Sequence, residues 1–459
     1  MDQLSASESV RLALETPGLP QHAAALMLLD PGAAAGLGFE SLLALTEERI
    51  RSAPRFGRRL REVAGGLDSA WLVDDPGFDV RHHVHRIAVP APGGRKELAE
   101  LAAFLFAPPL DRSRPLWELW WIEGLAEGRT ALLAKSHRCL GDGAAGTTLG
   151  ELLCDLEPRP QRPERSSPRE PAPDPGELRV ALRAARSLTT RPAAALQLGA
   201  SLLRHGLGRL RSLRDPEAPP LPFWIPKVSF NASPGPRRAI ACASVALPAL
   251  TEIRKHFDVR VSDVVLALTG SAVRRYLENR GELPRKSLVA TIAVSLPAAT
   301  ASDEPTLASA AVPWGTERAD PVARLLRIHR AASRAREFAR RHDAQLVAQL
   351  GRAMLPGFLS LTLRTGAAAA ASSALTANAF VESLRSTSLP LYVGGAKVES
   401  MVPLTVLAPG LGLGIGALRY NGRIDIGFTV DPDLVPDPWD LADGIPLALD
   451  ELRAAIGAA

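Results

Sequence analysis

The chain has 459 residues, which at roughly 100–200 residues per domain predicts two to three packed units and enough apolar residues for real cores. Charged residues make up 22% and hydrophobic ones 46%, with a mean hydropathy of +0.04, a balance that excludes a disordered chain and a polytopic membrane protein. The net charge of +5 and pI near 9.4 suit anionic partners such as a CoA-type phosphate tail or an acidic lipid surface. With aromatics at 5% and no recognition motif among the basic residues, nucleic acid is not an expected partner.

Six of the 54 basic residues are Lys and the rest Arg, beside abundant Ala, Pro and Gly; the excess reads mostly as a coding bias. Cys139, Cys154 and Cys242 have neither zinc-site nor disulfide-framework spacing, which suggests a reducing compartment. The opening MDQLSASESV lacks a basic and an apolar region, so no signal peptide is expected. The uncharged runs 365–381 and 401–418 are too weakly apolar or too broken by Pro and Gly for a membrane-spanning helix. A cytoplasmic location is the expectation.

In chain order, SESVRLALET reads as helix and HAAALMLLD as strand. Residues 41–52 have helical spacing, 81–90 alternate toward a strand, and 97–106 are amphipathic at helical period. LWELWWIEG and RTALLAKS read as two strands joined by a short polar turn, the second running straight into HRCLGDGAAG. A helix then begins just past Asp142. Residues 157–177 are dense in Pro, Arg and Glu and read as a surface connector. The expected division is an N-terminal half over 1–156, a connector with a basic helix over 157–218, and a C-terminal half over 219–459. Within the connector, 178–214 carries Leu, Ala and Arg at helical spacing. A helix with a solvated basic face is the simpler reading, and peripheral contact with a membrane surface the competing one.

The second half reads as a strand over 238–248, a helix over 249–256, an amphipathic helix over 262–284 ending in Gly281, a strand over 287–297 and an Arg-rich helix over 321–343. A strand, a hairpin turning at Tyr420-Asn421-Gly422, and a closing helix follow. The alternating Gly410, Gly412, Gly414 and Gly416 suit a strand that another backbone approaches closely. Helices and strands mix in both halves without strict βαβ repetition, which predicts an α+β fold.

The segment His137-Arg138-Cys139-Leu140-Gly141-Asp142-Gly143 lies between a predicted strand and a predicted helix. Together with RPLWELWWIEGL, it resembles the bacterial wax ester synthase/diacylglycerol acyltransferase family, whose signature is His-His-x-x-x-Asp-Gly. ETPGLPQHAAALMLLDP, FDVRHHVHRIAVPAPGGRKEL, SDVVLALTGSAVRRYLENRGELP, PLYVGGAKVESMVPL and GRIDIGFTVDPDLVPDPWDLADG resemble further family blocks in the family order, covering nearly the whole chain. The resemblance implies two chloramphenicol-acetyltransferase-like halves with a substrate tunnel between them. It implies an acyl thioester, carried by CoA or an acyl carrier, as co-substrate and an alcohol as acceptor, with no metal or redox cofactor. In the family the second His of the motif acts as general base, and the resemblance implies a mainly structural role for Asp142 and backbone room beside the substrate at Gly143.

In that register His137 matches the first His, but Arg138 stands at the second. A guanidinium stays protonated and has no acceptor lone pair, so Arg138 cannot remove a hydroxyl proton; losing a general base commonly costs about 10²–10⁴ in rate. Ser262-Asp263 replaces the family's Asn-Asp, Ser383-Leu384-Arg385-Ser386 replaces Asn-Val-Pro-Gly, and Gly414 stands where the family often has Asn. Three readings remain open. The first keeps O-acyl transfer to a lipid or specialised-metabolite alcohol, with His137 or the acceptor's own base taking the proton while Arg138 stabilises an oxyanion or CoA phosphates. The second changes the reaction to a cyclisation, condensation or rearrangement, and the third is a non-catalytic binding relative.

Neighbouring residues of an extended segment point to opposite sides, so His137 and Arg138 need not share a cavity. The candidate site comprises His137, Arg138 and Asp142 as catalytic residues, with Cys139, Gly143, Trp117, Ser262 and Asp263 toward substrate. Trp117, Trp120 and Trp121 also read as core and tunnel wall. Cys139 would need a lowered pKa to act as nucleophile. His82, His83 and His85 could present at most two rings to one face, which weighs against a metal.

Overall fold

The computed structural model describes residues 2–30, 37–63, 66–141, 149–159, 225–296, 306–342 and 377–457, with isolated positions at 176, 182, 186 and 200. The N-terminal part runs β1 (Asp2–Gln3), α1 (Ala6–Leu14), β2 (His22–Asp30), α2 (Phe39–Ser52), β3 (Arg58–Arg61), β4 (Trp71–Asp74), β5 (Val84–Ala88), α3 (Arg95–Phe106), β6 (Trp117–Glu123), β7 (Thr130–His137) and α4 (Leu149–Leu152). The C-terminal part runs β8 (Ala239–Ala246), α5 (Leu247–His256), α6 (Val261–Asn279), β9 (Val289–Leu296), β10 (Thr306–Pro313), α7 (Pro321–His342), β11 (Ala379–Arg385), β12 (Tyr392–Val393), β13 (Ala396–Leu404), β14 (Leu413–Tyr420), β15 (Arg423–Val430) and α8 (Pro438–Gly457). This is the mixed α+β architecture the sequence predicts.

Two six-stranded sheets carry the fold, ordered β12-β13-β2-β7-β6-β5 and β10-β9-β11-β14-β15-β8. The start of α1 is fixed by a capping box, in which Ser5 accepts from the Glu8 N–H and Glu8 accepts from the Ser5 N–H. Strand β7 is central and almost wholly buried, as its run of Ala and Leu requires. It pairs antiparallel with β6, Trp117 opposite Ser136, and with β2, His22 opposite His137. The expected strand over 81–90 is shorter than read: Val80–His82 forms a 3-10 turn and pairing begins at Val84.

The two halves are not separable along the sequence. Strand β13 leaves the C-terminal part and pairs with β2, Leu404 opposite Ala24 and Lys397 opposite Asp30, so residues from beyond 219 complete the first sheet. The same strand lies against β14 and β15 of the second. A Cβ on Gly427 would fall 2.2 Å from Pro403 O, and one on Gly414 would fall 2.6 Å from Thr405 Oγ1. The glycines are the close-approach points that let the sheets meet.

One core lies between the second sheet and helices α5 to α8, where Leu268, Ala272, Leu325, Ile426 and Ile445 are buried together. The β14–β15 hairpin turns with Asn421 at φ 40° and Gly422 at φ 77°, the left-handed pair that a two-residue turn needs. The proposed basic helix 178–214 and most of the connector lie outside the described residues. Among those described, no helix is long and apolar enough to cross a membrane.

Candidate active site

Strand β7 ends at His137, and Arg138–Leu140 make one 3-10 turn. The Cys139 N–H donates to His137 Nδ1 at 3.0 Å. With Nδ1 accepting, the proton of a neutral ring must sit on Nε2, which faces Glu15 Oε1 at 3.6 Å. Burial alone would raise the Glu15 carboxyl, but His137 and then Arg112 outweigh it and hold Glu15 at about 2. Arg112 grips the same carboxylate through Nε at 3.0 Å and Nη2 at 2.6 Å. The turn is pinned from below by the Arg138 N–H donating to Gln21 O at 2.9 Å and by Arg11 Nη1 donating to Arg138 O at 3.2 Å. Gly141 closes it at φ 156°, a conformation that Gly adopts without a Cβ penalty.

This geometry sends adjacent side chains in opposite directions. Arg138 lines a cavity of about 120 Å³ between the sheets, whose walls are Ala24, Ala134, Leu404 and Leu418 and whose acidic groups are Glu151 and Glu382. His137 is 1% exposed and is not part of that lining. Of the two motif residues expected to be catalytic, the structure therefore brings Arg138 and not His137 to this cavity.

Cys139 and Trp117 likewise line neither this cavity nor the larger, arginine-lined one. Burial pushes the Cys139 thiol up to about 12, the opposite of what a nucleophile requires. Trp117 is fully buried, donates its indole N–H to Phe56 O at 2.6 Å, and stacks on His83 at 4.5 Å. Asp142 and Gly143 lie outside the described residues. Among the described residues no group of three His, Cys, Asp or Glu side chains could hold a metal.

Ser262 opens onto a second cavity of about 630 Å³, lined by Arg254, Arg260, Arg336, Arg340 and Arg419. Asp263 does not reach it. It is fully buried and accepts from His329 Nδ1 at 2.7 Å, Arg336 Nη2 at 2.7 Å and the Arg260 N–H at 3.3 Å. A carboxylate in the first turn of α6, satisfied this way, anchors α7 to α6 and aims Arg336. The same Arg336 Nη2 donates to Ser262 Oγ at 3.0 Å, while its Nη1 is buried with no hydrogen-bond partner among the described residues. The two cavities meet at β11, where Glu382 faces the first, Ser383 the second, and Leu384 borders both. Sequence reasoning missed Glu382, Glu151 and the arginine ring; the one signal was the rewritten stretch that begins directly after Glu382.

Family models match over most of the chain: the wax ester synthase/diacylglycerol acyltransferase catalytic domain over residues 4–265 and the WS/DGAT C-terminal domain over 306–453. A Mycobacterium tuberculosis protein provisionally named as a diacylglycerol O-acyltransferase is 33% identical, covering 98% of this chain and 90% of its own length. A similarly named Mycobacterium bovis protein is 31% identical over 99% of both chains. Among solved structures, the wax ester synthase/diacylglycerol acyltransferase from Marinobacter aquaeolei VT8 superposes with a TM-score of 0.70 at 25% identity, covering 99% of this chain and all of that one. The starter condensation domain of rhizomide synthetase shares the fold at 15% identity, with a TM-score of 0.54, covering 98% of this chain and 93% of that one. With the turn that carries Arg138 set at the junction of two such halves, the chain belongs to the wax ester synthase/diacylglycerol acyltransferase family of acyltransferases.

Proposed function

We propose that this enzyme transfers an acyl group from an acyl thioester to the hydroxyl of a lipid or specialised metabolite, in the cavity between the sheets. The observation that carries the reading is that Arg138, at the family's catalytic position, lines this cavity while its neighbour His137 does not. The alcohol oxygen attacks the thioester carbonyl, the C–S bond breaks, and negative charge collects on the carbonyl oxygen in between. A guanidinium beside that oxygen supplies donors where charge develops, a contribution worth about 3 kcal/mol for a single well-placed donor. The alanine and leucine walls suit an acyl chain.

The arginine-lined cavity is the proposed place for the phosphates of a CoA-carried donor, with Ser262 and Arg336 among the contacts. The partners are then two small molecules, an acyl donor and an alcohol, in a cytoplasmic setting. Asp142 and Gly143 keep their proposed structural and space-giving roles.

The test is thiol release from acyl-CoA by the full chain with a panel of alcohols, with the ester identified by mass spectrometry. Alcohol-dependent thiol and ester in equal amounts are the expected result. Tight ligand binding without turnover would refute acyl transfer. So would ester formation that appears only in R138H and is absent from the parent, since the natural residue would then block the reaction.

A further inference from the structure

We propose that Glu382 is the proton acceptor of this transfer, taking the place of the imidazole that Arg138 has displaced; the assignment rests on the acyl-transfer reading above. The reaction releases a hydroxyl proton, and the groups around the cavity divide sharply in their ability to receive it. Arg138 has no acceptor lone pair. His137 faces away, with Nδ1 already accepting the Cys139 N–H, and the Cys139 thiol is buried and pushed up to about 12. Ser136 and Thr405 line the cavity only with neutral hydroxyls. That leaves its two carboxylates, Glu151 and Glu382.

They are not equivalent. Glu151 is half-buried and lies 3.5 Å from the Ser386 hydroxyl, which donates to it. Glu382 is only 8% exposed, yet among the described residues no hydrogen-bond donor serves its carboxylate. A buried carboxylate in that condition keeps its lone pairs for whatever enters the cavity. In the parallel β11–β14 pairing Glu382 sits beside Gly416, over which Pro403 and Thr405 of the cavity wall pack closely, so the carboxylate lies against the lining rather than out in solvent. Charge is consistent with the placement, because Arg11 beneath the turn is acted on by Arg138 and, in the other sense, by Glu8 and then Glu382, which puts the Glu382 carboxylate within electrostatic reach of the same turn.

The step balances without any further reactant. As the alcohol oxygen bonds to the thioester carbon, its proton passes to Glu382 while Arg138 faces the oxyanion. When the C–S bond breaks, the thiolate takes that proton back, leaving ester, free thiol and the original carboxylate. A base and an oxyanion donor are thereby carried by two residues, Glu382 on β11 of the second sheet and Arg138 in the turn that follows β7 of the first.

The experiment uses the full chain with an acyl-CoA and the alcohol that gives the highest parent rate. E382Q keeps the shape and removes the base. Its kcat is expected to fall by about 10²–10⁴, with KM for the thioester changed by less than about threefold. In E382A, added formate is expected to restore part of kcat, a response that a purely structural loss would not give. E382D, which withdraws the carboxylate by one methylene, serves if E382Q fails to fold, with kcat again falling and KM held. A kcat for E382Q within about threefold of the parent, or an E382A defect that formate leaves untouched, overturns the assignment. Failure of the parent to release thiol with any alcohol is a different result, and overturns the acyl-transfer reading on which it rests.

Discussion

Replacing Glu15 by Gln tests how the turn carrying Arg138 is held. Glu15 sits at the back of the site, with Arg112 bonded to one oxygen and His137 facing the other. Its side chain is 7% exposed, so solvent screening discounts these interactions little. The carboxyl is lowered from an ordinary 4.5 to about 2 in the folded chain. A group depressed on folding contributes stability that is fully present above its unfolded pKa and is lost as pH falls through the folded one. The window here runs from about 4.5 down to about 2. Linkage gives about 3 kcal/mol at pH 7 and about 1 kcal/mol at pH 3. E15Q keeps the shape but not the charge, so it should be less stable than the parent by roughly these amounts, with the gap closing as pH falls. Urea unfolding followed by tryptophan fluorescence at a series of pH values measures it. A gap that stays constant across the window, or one below about 0.5 kcal/mol at neutral pH, refutes the reasoning, because the carboxylate would then not be the charge that secures the turn.

Two further outcomes follow from the geometry. In R254A/R340A the KM for acyl-CoA should rise about fivefold or more while its dependence on salt flattens, since screening acts on charges the variant has lost; initial rates across a sodium chloride series read both, and an unchanged KM would remove the phosphates from that cavity. Gly414→Asn, which installs the residue the family often has there, must place a Cβ 2.6 Å from Thr405 Oγ1 and 3.1 Å from Val406 O; a loss of about 1–3 kcal/mol in unfolding free energy is expected, and a melting temperature equal to the parent's would show that β13 can move away.

What the sequence made legible was set by local signal. Strands β6 and β7 are short, strongly apolar runs either side of a short polar turn, and the Asn421-Gly422 turn announces its hairpin, so each could be read from a few residues. Strands β10 and β11 could not. TLASAAVP is built of small residues with little strand preference, and β11 carries Glu382 and Ser383 in its middle. Their extended state comes from the pairing of Ala310 with Ile292 and of Val381 with Ile292 and Ile415, partners that only the folded chain supplies. The crossing of β13 onto β2 joins segments hundreds of residues apart, and nothing local encodes it. In the site, strand alternation shows only that His137 and Arg138 need not share a cavity; which of them lines it comes from the folded turn. The arginine ring draws on α5, α7, β14 and the residue that caps α6, and has no linear motif. Glu382 lies directly before a stretch recognisable only by the loss of the family's own pattern.

The electrostatics of the cavity bear on why an arginine is tolerated at the second position of the motif. A guanidinium in a partly enclosed, alanine-lined space is costly without compensation, and a second cation, Arg11, lies beneath it. Burial first, and Arg138 next, lower Arg11 from 12.5 to about 10, while Glu8 and Glu382 act the other way. Two guanidiniums, Arg138 on the turn and Arg11 of α1 bonded to it, therefore depend on nearby carboxylates for the folded state to accept them. A neutral imidazole at position 138 would impose no such demand. The exchange of histidine for arginine thus changes what the opposite sheet must provide, since an anion at 382 both offsets the added charge and offers the lone pairs that the new residue lacks. The two functions separate in the variants: Glu382→Gln in the parent removes both, whereas R138H/E382Q removes the need for the first and restores a base. An E382Q variant that loses stability, regained in that double variant, while its kcat stays within about threefold of the parent's would mean that the carboxylate serves charge balance alone.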